Sequence, residues 1–176
     1  MKKMITMYII FDYPVSLAIL LLIIKRGTIK MRWILVDKIL EMHPGKSAVG
    51  VRNFSRSEMF FMDHFPGFPL VPGVLHVEMI AQVGGKCIRA SNPDFFPVLS
   101  SVKSAKFRDK ILPGDQAVIK VDVTMRKSYS IATGIIEVNG KKVSEAEVMF
   151  GHIKIPEDRI SQVLNDEVLM DWRNRS

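Results

Sequence analysis

Hydrophobic positions fall into three regimes along the chain. From Val74 to Ala90 they come at nearly every turn of a helical wheel: Val74, Leu75, Val77, Met79, Ile80, Ala81, Val83, Gly84, Gly85, Cys87 and Ile88 are apolar or small. A helix without a polar stripe is a buried helix, and Ala81, Gly84 and Gly85 let another backbone approach it. Beyond Phe95 the period shortens to two. From Gln116 to Met125, Val118, Lys120, Asp122 and Thr124 alternate with Ile119, Val121, Val123 and Met125, the signature of a strand with one wet face. Segments 130–138 and 142–153 read the same way, and Asn139-Gly140 between them is a strong hairpin signal. Val98 to Phe107 predicts one or two further strands, and "LPGDQ" (112–116) a turn. Upstream, Trp33 to Leu40 fits a helical turn or an edge strand. Lys46 to Phe54 alternates loosely after the turn His43-Pro44-Gly45. The pattern predicts an α+β domain, one buried helix wrapped by an antiparallel sheet.

The third regime is irregular. Ser55 to Val71 holds Pro66 and Pro69 and leads into Pro72, and Phe65, Phe68 and Val71 each precede a proline. Such residues are pushed toward extended backbone, so a stiff loop without regular structure is expected before Pro72-Gly73 opens the helix. At the end of the chain, 156–176 is polar and amphipathic and predicts a tail helix.

Composition narrows the class. The chain has 176 residues, 48% hydrophobic and 24% charged, enough for one globular domain with a sizeable core. Its lone Cys87 excludes an internal disulfide and fits a reducing, cytoplasmic setting. Its place among Val83, Gly84 and Ile88 reads as packing. The four histidines are scattered, so no zinc spacing exists and no metal is expected. The formal charge is +7, of which Lys2, Lys3, Lys25, Arg26 and Lys30 against Asp12 supply +4. The remaining body is mildly basic, which suits an acidic partner and is too little to argue for nucleic acid.

Residues 1–30 stand apart. Met4 to Ile24 is apolar, but Asp12 and Pro14 interrupt it, and Val15 to Ile24 gives only ten uncharged residues. A membrane span needs about 20, and "LLIIKRG" offers no small-residue cleavage site. Three readings stand: a weak membrane anchor, an extra packing helix, or an upstream extension that is not translated. Met31 opens "MRWILVDKILE", which reads as the start of the domain. The expected division is therefore an extension over 1–30, a domain over 31–155 and a tail over 156–176.

Two residues carry candidate chemistry. Glu78 interrupts the apolar helix, and desolvating a carboxylate costs several kcal/mol unless it is paired or neutralised. Gln82, one turn on, can hydrogen-bond it, whereas His76 lies about 200° round the helix. Taken alone, Glu78 fits a satisfied structural carboxylate and His64 a surface or packing histidine. Taken together they form an acid–base pair, with Gly73 at the helix N-terminus as a donor to a developing oxyanion. Those are the parts needed to remove water from a β-hydroxy carbonyl compound.

The segment "HFPGFPLVPGVLHVEMIAQ" (64–82) resembles the active-site motif of the 3-hydroxyacyl-[acyl-carrier-protein] dehydratases, hot-dog-fold enzymes of fatty acid synthesis. It matches at His64, Phe65, Pro66, Pro69, Pro72, Gly73, Leu75, Glu78, Ala81 and Gln82. "KFRDKILPGDQ" (106–116) resembles a second block of that family and "WILVDKILE" (33–41) its opening. Together the blocks span about Trp33 to Phe150.

The resemblance implies a hot-dog dimer with His64 of one subunit facing Glu78 of the other, trimers of such dimers, and no cofactor. It implies that His64 and Glu78 are catalytic, that Gly73 holds the thioester carbonyl, and that the glutamate at 78 belongs to a branch that dehydrates without isomerising. Acyl carrier protein is the implied partner, and Lys106, Arg108 and Lys110, with Lys103 nearby, are candidates for docking it. The segment around Lys86 and Arg89 is the second choice. Three departures stand out: Asp63 where the family has glycine, "TIKMR" in place of the usual lead-in, and the tail beyond Phe150. Two alternatives remain in view, another hot-dog activity such as a thioesterase or a specialised-pathway dehydratase, and a non-catalytic carrier-binding protein.

Overall fold

The computed structural model describes residues 33–92, 94–154 and 166–175. The expectations for residues 1–30 and for the first part of the tail lie outside them. Six strands and three helices follow in the order β1 (Lys38–His43), β2 (Ser47–Asn53), α1 (Phe60–Asp63), α2 (Gly73–Ser91), β3 (Phe95–Phe107), β4 (Gln116–Met125), β5 (Tyr129–Val138), β6 (Lys141–Lys154) and α3 (Glu167–Arg173). The strands make one sheet in the order β1-β2-β4-β5-β6-β3, with every neighbouring pair antiparallel.

The sheet curls round α2, which packs against all six strands. Met79, Ile80, Val83, Cys87 and Ile88 of the helix are completely shielded. Close approach explains two glycines. A Cβ on Gly134 of β5 would meet Ile80 at 2.6 Å, and one on Gly84 would meet Ala132 at 2.9 Å. Gly85 is different: a Cβ there would make only ordinary contact with Phe150 and Pro97, so it faces a groove and not the sheet.

The helix is not buried all round. Val74 is 72% exposed, and Val77, Glu78, Gln82, Gly85 and Lys86 are half-buried. Its apolar outer stripe is therefore left unpacked by the chain's own sheet. The loop expectation also needs correction, because α1 forms inside Ser55–Val71. The prolines start at 66, so Phe60–Asp63 keeps its amides, and burying Phe61 anchors the turn. Gly67 then takes φ +77° in a tight turn where Phe65 and Phe68 exchange two backbone hydrogen bonds.

The 98–107 region belongs to one strand, the thirteen-residue β3, which slips register between Leu99 and Ser101 and between Val102 and Ser104. Asn139 and Gly140 both have positive φ, 51° and 75°, as the tight hairpin between β5 and β6 requires. At the sheet's far edge, β1 starts only at Lys38, and α3 packs on it.

Candidate functional site

His64 ends α1, and its backbone is held on both sides. Its N–H donates to the Phe60 carbonyl at 3.0 Å, and its carbonyl accepts from Leu70 N at 3.0 Å. The imidazole stacks on Phe65, with ring centres 4.1 Å apart. Nδ1 lies 3.2 Å from the Leu70 carbonyl oxygen. A carbonyl can only accept, so Nδ1 carries the proton and Nε2 is left with its lone pair free. The loop thereby selects the tautomer a general base needs. Asp63, just before it, is exposed.

Glu78 sits in the second turn of α2. Its Oε1 accepts from Gln82 Nε2 at 2.9 Å, while Gln82 Oε1 accepts from Leu35 N at 2.9 Å. The Leu35 bond orients the amide, because an N–H donor must meet the oxygen end, and the NH₂ end is then turned to Glu78. A proton held by Glu78 consequently sits on Oε2. Neither Leu35 nor this relay was legible in the sequence; only the Gln82 spacing was.

Gly73 is the first residue of α2, and its cap residue Pro72 offers no side chain to the first-turn amides. A Cβ at 73 would come within 3.2 Å of the Phe107 ring. The glycine therefore keeps the helix N-terminus close to the end of β3, at the positive pole of the helix. Within one chain, His64 and Glu78 are not hydrogen-bonded to each other; their partners are Leu70 and Gln82.

His76 lies on the face of α2 away from Glu78. It is 3% exposed, meets Phe107 edge-on at 5.7 Å, and neither ring nitrogen has a hydrogen-bond partner. Burial pushes its pKa down to about 4. It is a neutral packing group. Burial also raises the Cys87 thiol, which fits a packing role. Among the described residues no cluster could hold a metal ion, and no helix is long and apolar enough to cross a membrane.

The candidate docking cations are mostly engaged. Arg108 Nη2 donates to Glu145 at 2.6 Å, Lys106 lies 3.8 Å from the same carboxylate, and Lys103 pairs with Glu147 at 3.1 Å. Hydrogen bonds from Lys142 and Arg108 hold Glu145 down at about 2. Lys110 lies past the end of β3, and its ammonium sits 5.1 Å over the Phe68 ring, beside the loop that carries His64.

A groove runs from Glu78 along the outer stripe of α2. Ala81 and Gly85 form its floor, Pro97, Leu99 and Phe150 line its sides, and Lys86 and Asp166 stand at the other end, enclosing about 230 Å³. Asp166 lies in the tail, and nothing in the sequence linked it to the site. Its position before "EVLMDW" marks it as a helix N-cap, which is a local signal and does not say where the helix docks.

Comparison with known proteins gives the family and the fold. The family model for the FabA-like domain matches residues 30–147. The 3-hydroxyacyl-[acyl-carrier-protein] dehydratase FabZ of Clostridium acetobutylicum is 42% identical over 120 residues, 66% of this chain and 85% of that protein. That of Geobacillus thermodenitrificans is 40% identical over 121 residues, 67% of this chain and 83% of the relative. Two solved structures share the fold. One is the dehydratase heterocomplex ApeI:P from Xenorhabdus doucetiae, with TM-score 0.52, 18% identity, and 63% and 92% of the two chains covered. The other is smu.793 from Streptococcus mutans bound to acetyl CoA, with TM-score 0.57, 12% identity, and 74% and 99% covered. The chain belongs to the FabA-like family and, within it, to the 3-hydroxyacyl-[acyl-carrier-protein] dehydratases.

Proposed function

We propose that this dehydratase converts (3R)-hydroxyacyl thioesters on acyl carrier protein to trans-2-enoyl thioesters in fatty acid synthesis, with His64 as base and Glu78 as acid. His64 Nε2 takes the C2 proton. The C2–H electron pair becomes the C2–C3 double bond, the C3–O bond breaks, and the hydroxyl leaves as water on the proton from Glu78 Oε2. The amide at Gly73 faces the thioester carbonyl as negative charge builds on it. The thioester itself makes the C2 proton acidic, so the residues need only position and transfer protons.

The observation that carries the reading is the relay from Leu35 through Gln82 to Glu78, which spends two hydrogen bonds on orienting one carboxyl group. An acid that must deliver its proton to one leaving hydroxyl needs its free oxygen fixed in this way. In this reading the two halves of a site come from different subunits of a homodimer, and the described monomer supports it in two ways. His64 and Glu78 each lack the other as a partner, and the edge strand β3 is apolar and exposed at Phe96, Val98, Leu99, Val102 and Phe107. Trimers of such dimers extend the same reading. The carrier protein approaches across Lys110, Lys106 and Arg108. The lone, buried Cys87 fits a cytoplasmic location.

A 3-hydroxybutyryl or crotonyl thioester tests the activity directly, through the absorbance of the enoyl product. Mixing His64→Ala with Glu78→Gln subunits tests the geometry. One intact site should form per mixed dimer and restore part of the turnover. No recovery after proven subunit exchange would place both groups in one chain.

A further inference from the structure

The groove beside Glu78 is closed by a part of the chain that the family match, residues 30–147, does not include. Glu78, Gln82, Gly85, Lys86 and Arg89 lie at spacings of four, seven, eight and eleven residues, one continuous stripe of α2. The middle of the groove is apolar, lined by Ala81, Pro97, Leu99 and Phe150 beside Gly85. Its far end is not: Lys86 Nζ donates to both Asp166 oxygens, at 2.8 and 2.6 Å.

Asp166 is held from the other side as well. It caps α3 by accepting from Leu169 N at 3.1 Å, and α3 is pinned by the buried Val168 and Leu169. The pair is therefore a fixed wall and not a swinging surface contact. Lys86 lies eight residues from Glu78, about 12 Å along the helix axis.

We propose that the C-terminal helix sets the acyl-chain limit of this enzyme, with the Lys86–Asp166 pair as the end wall of the groove that receives the substrate's aliphatic tail. The inference rests on the dehydratase reading, which puts the thioester end of the substrate at Glu78. A short or medium chain fills the apolar middle and stops short of the charges. A longer one must press methylenes against a half-buried ion pair, stripping its remaining water without replacing any hydrogen bond. Lys86 and Asp166 are thus specificity residues at the end of the chain that takes no part in the chemistry.

The test is binding as a function of chain length, measured by calorimetry on the full chain with S-butyl, S-octyl and S-hexadecyl pantetheine thioethers. In the unaltered protein, affinity should rise from butyl to octyl and gain nothing at hexadecyl. Lys86→Met opens the wall while keeping the Asp166 cap. Lys86→Met combined with Asp166→Ser removes both charges and keeps a capping side chain. In both variants hexadecyl should bind more tightly than octyl by about tenfold, the order of gain expected for added apolar contact in a pocket. Length profiles that superimpose on that of the unaltered protein overturn the proposal, as does an unaltered protein that already gains tenfold at hexadecyl. Turnover of a 3-hydroxybutyryl thioester by the same preparations judges the dehydratase reading separately. Its failure would remove that reading while the length profile still decides the wall.

Discussion

Strands β4 and β3 lie in one sheet and obey opposite rules. In β4, Ala117, Ile119, Val121 and Val123 are buried, while Gln116, Lys120, Asp122 and Thr124 face water. The apolar side chains of its inner face find their partners inside the chain. In β3 only Pro97 is buried, while Phe96, Val98, Leu99, Val102 and Phe107 stay exposed along an edge. A long apolar edge strand is a liability that folded proteins normally cover. The residues with chemistry lie on the same unfinished side: Gly73 abuts Phe107, and Leu99 lines the groove that starts at Glu78. The core is finished by one chain, whereas in the proposed dimer the site is left for a second copy and a substrate to finish.

The largest effect should separate the two regions outright. His64→Ala or Glu78→Gln should lower dehydration by about 10²–10⁴-fold and leave the melting temperature within a degree or two of the starting value. Near-normal turnover in either variant would remove that residue from the mechanism. A matched pair of charges sharpens the same contrast. Val102→Asp on β3 should convert the dimer to monomer in sedimentation and lose activity with it. Thr124→Asp on β4 should do neither, because that position already faces water. A dimeric, active Val102→Asp protein would show that β3 is not the joining edge.

On the finished side the cost should be stability and not assembly. Ile80→Ala empties a fully buried site on α2 and should cost about 2–5 kcal/mol in denaturant unfolding. Acid should act there too. The His76 pKa falls from 6.5 to about 4 on folding, so between those values the unfolded chain binds the extra proton and stability drops as pH falls. The full loss is about 3 kcal/mol, complete below pH 4 and absent above 6.5. His76→Leu should flatten this part of the pH profile; an unchanged slope would assign it to other groups.

The smallest effect concerns the rim. Reversing Arg108 and Lys110 together should raise KM for a carrier-protein substrate by roughly fivefold or less, the size of exposed charge effects. KM for a coenzyme A thioester should hardly change. Arg108 also pairs with Glu145, so equal losses on both substrates would mean that the ion pair serves the fold and not docking.

The sequence by itself determined what short-range chemistry controls. Period-two alternation marked β4, β5 and β6, Asn139-Gly140 marked the β5–β6 hairpin, and the largely apolar run from Val74 marked α2. The spacing of His64, Gly73, Glu78 and Gln82 pointed to the candidate chemistry, and the one-turn step from Glu78 to Gln82 gave the hydrogen bond that helix geometry dictates. The α1 turn was hidden because three nearby prolines dominate the local pattern and the burial of Phe61 is a long-range event. The tertiary structure alone decided the rest. It brought the Leu35 amide to Gln82, 47 residues away, and so chose which oxygen of Glu78 is free. It set Asp166 against Lys86, 80 residues apart, at the end of the groove. Nothing in either neighbourhood encodes the other, because hydrogen bonds at that separation exist only once the helix has been clamped by the sheet.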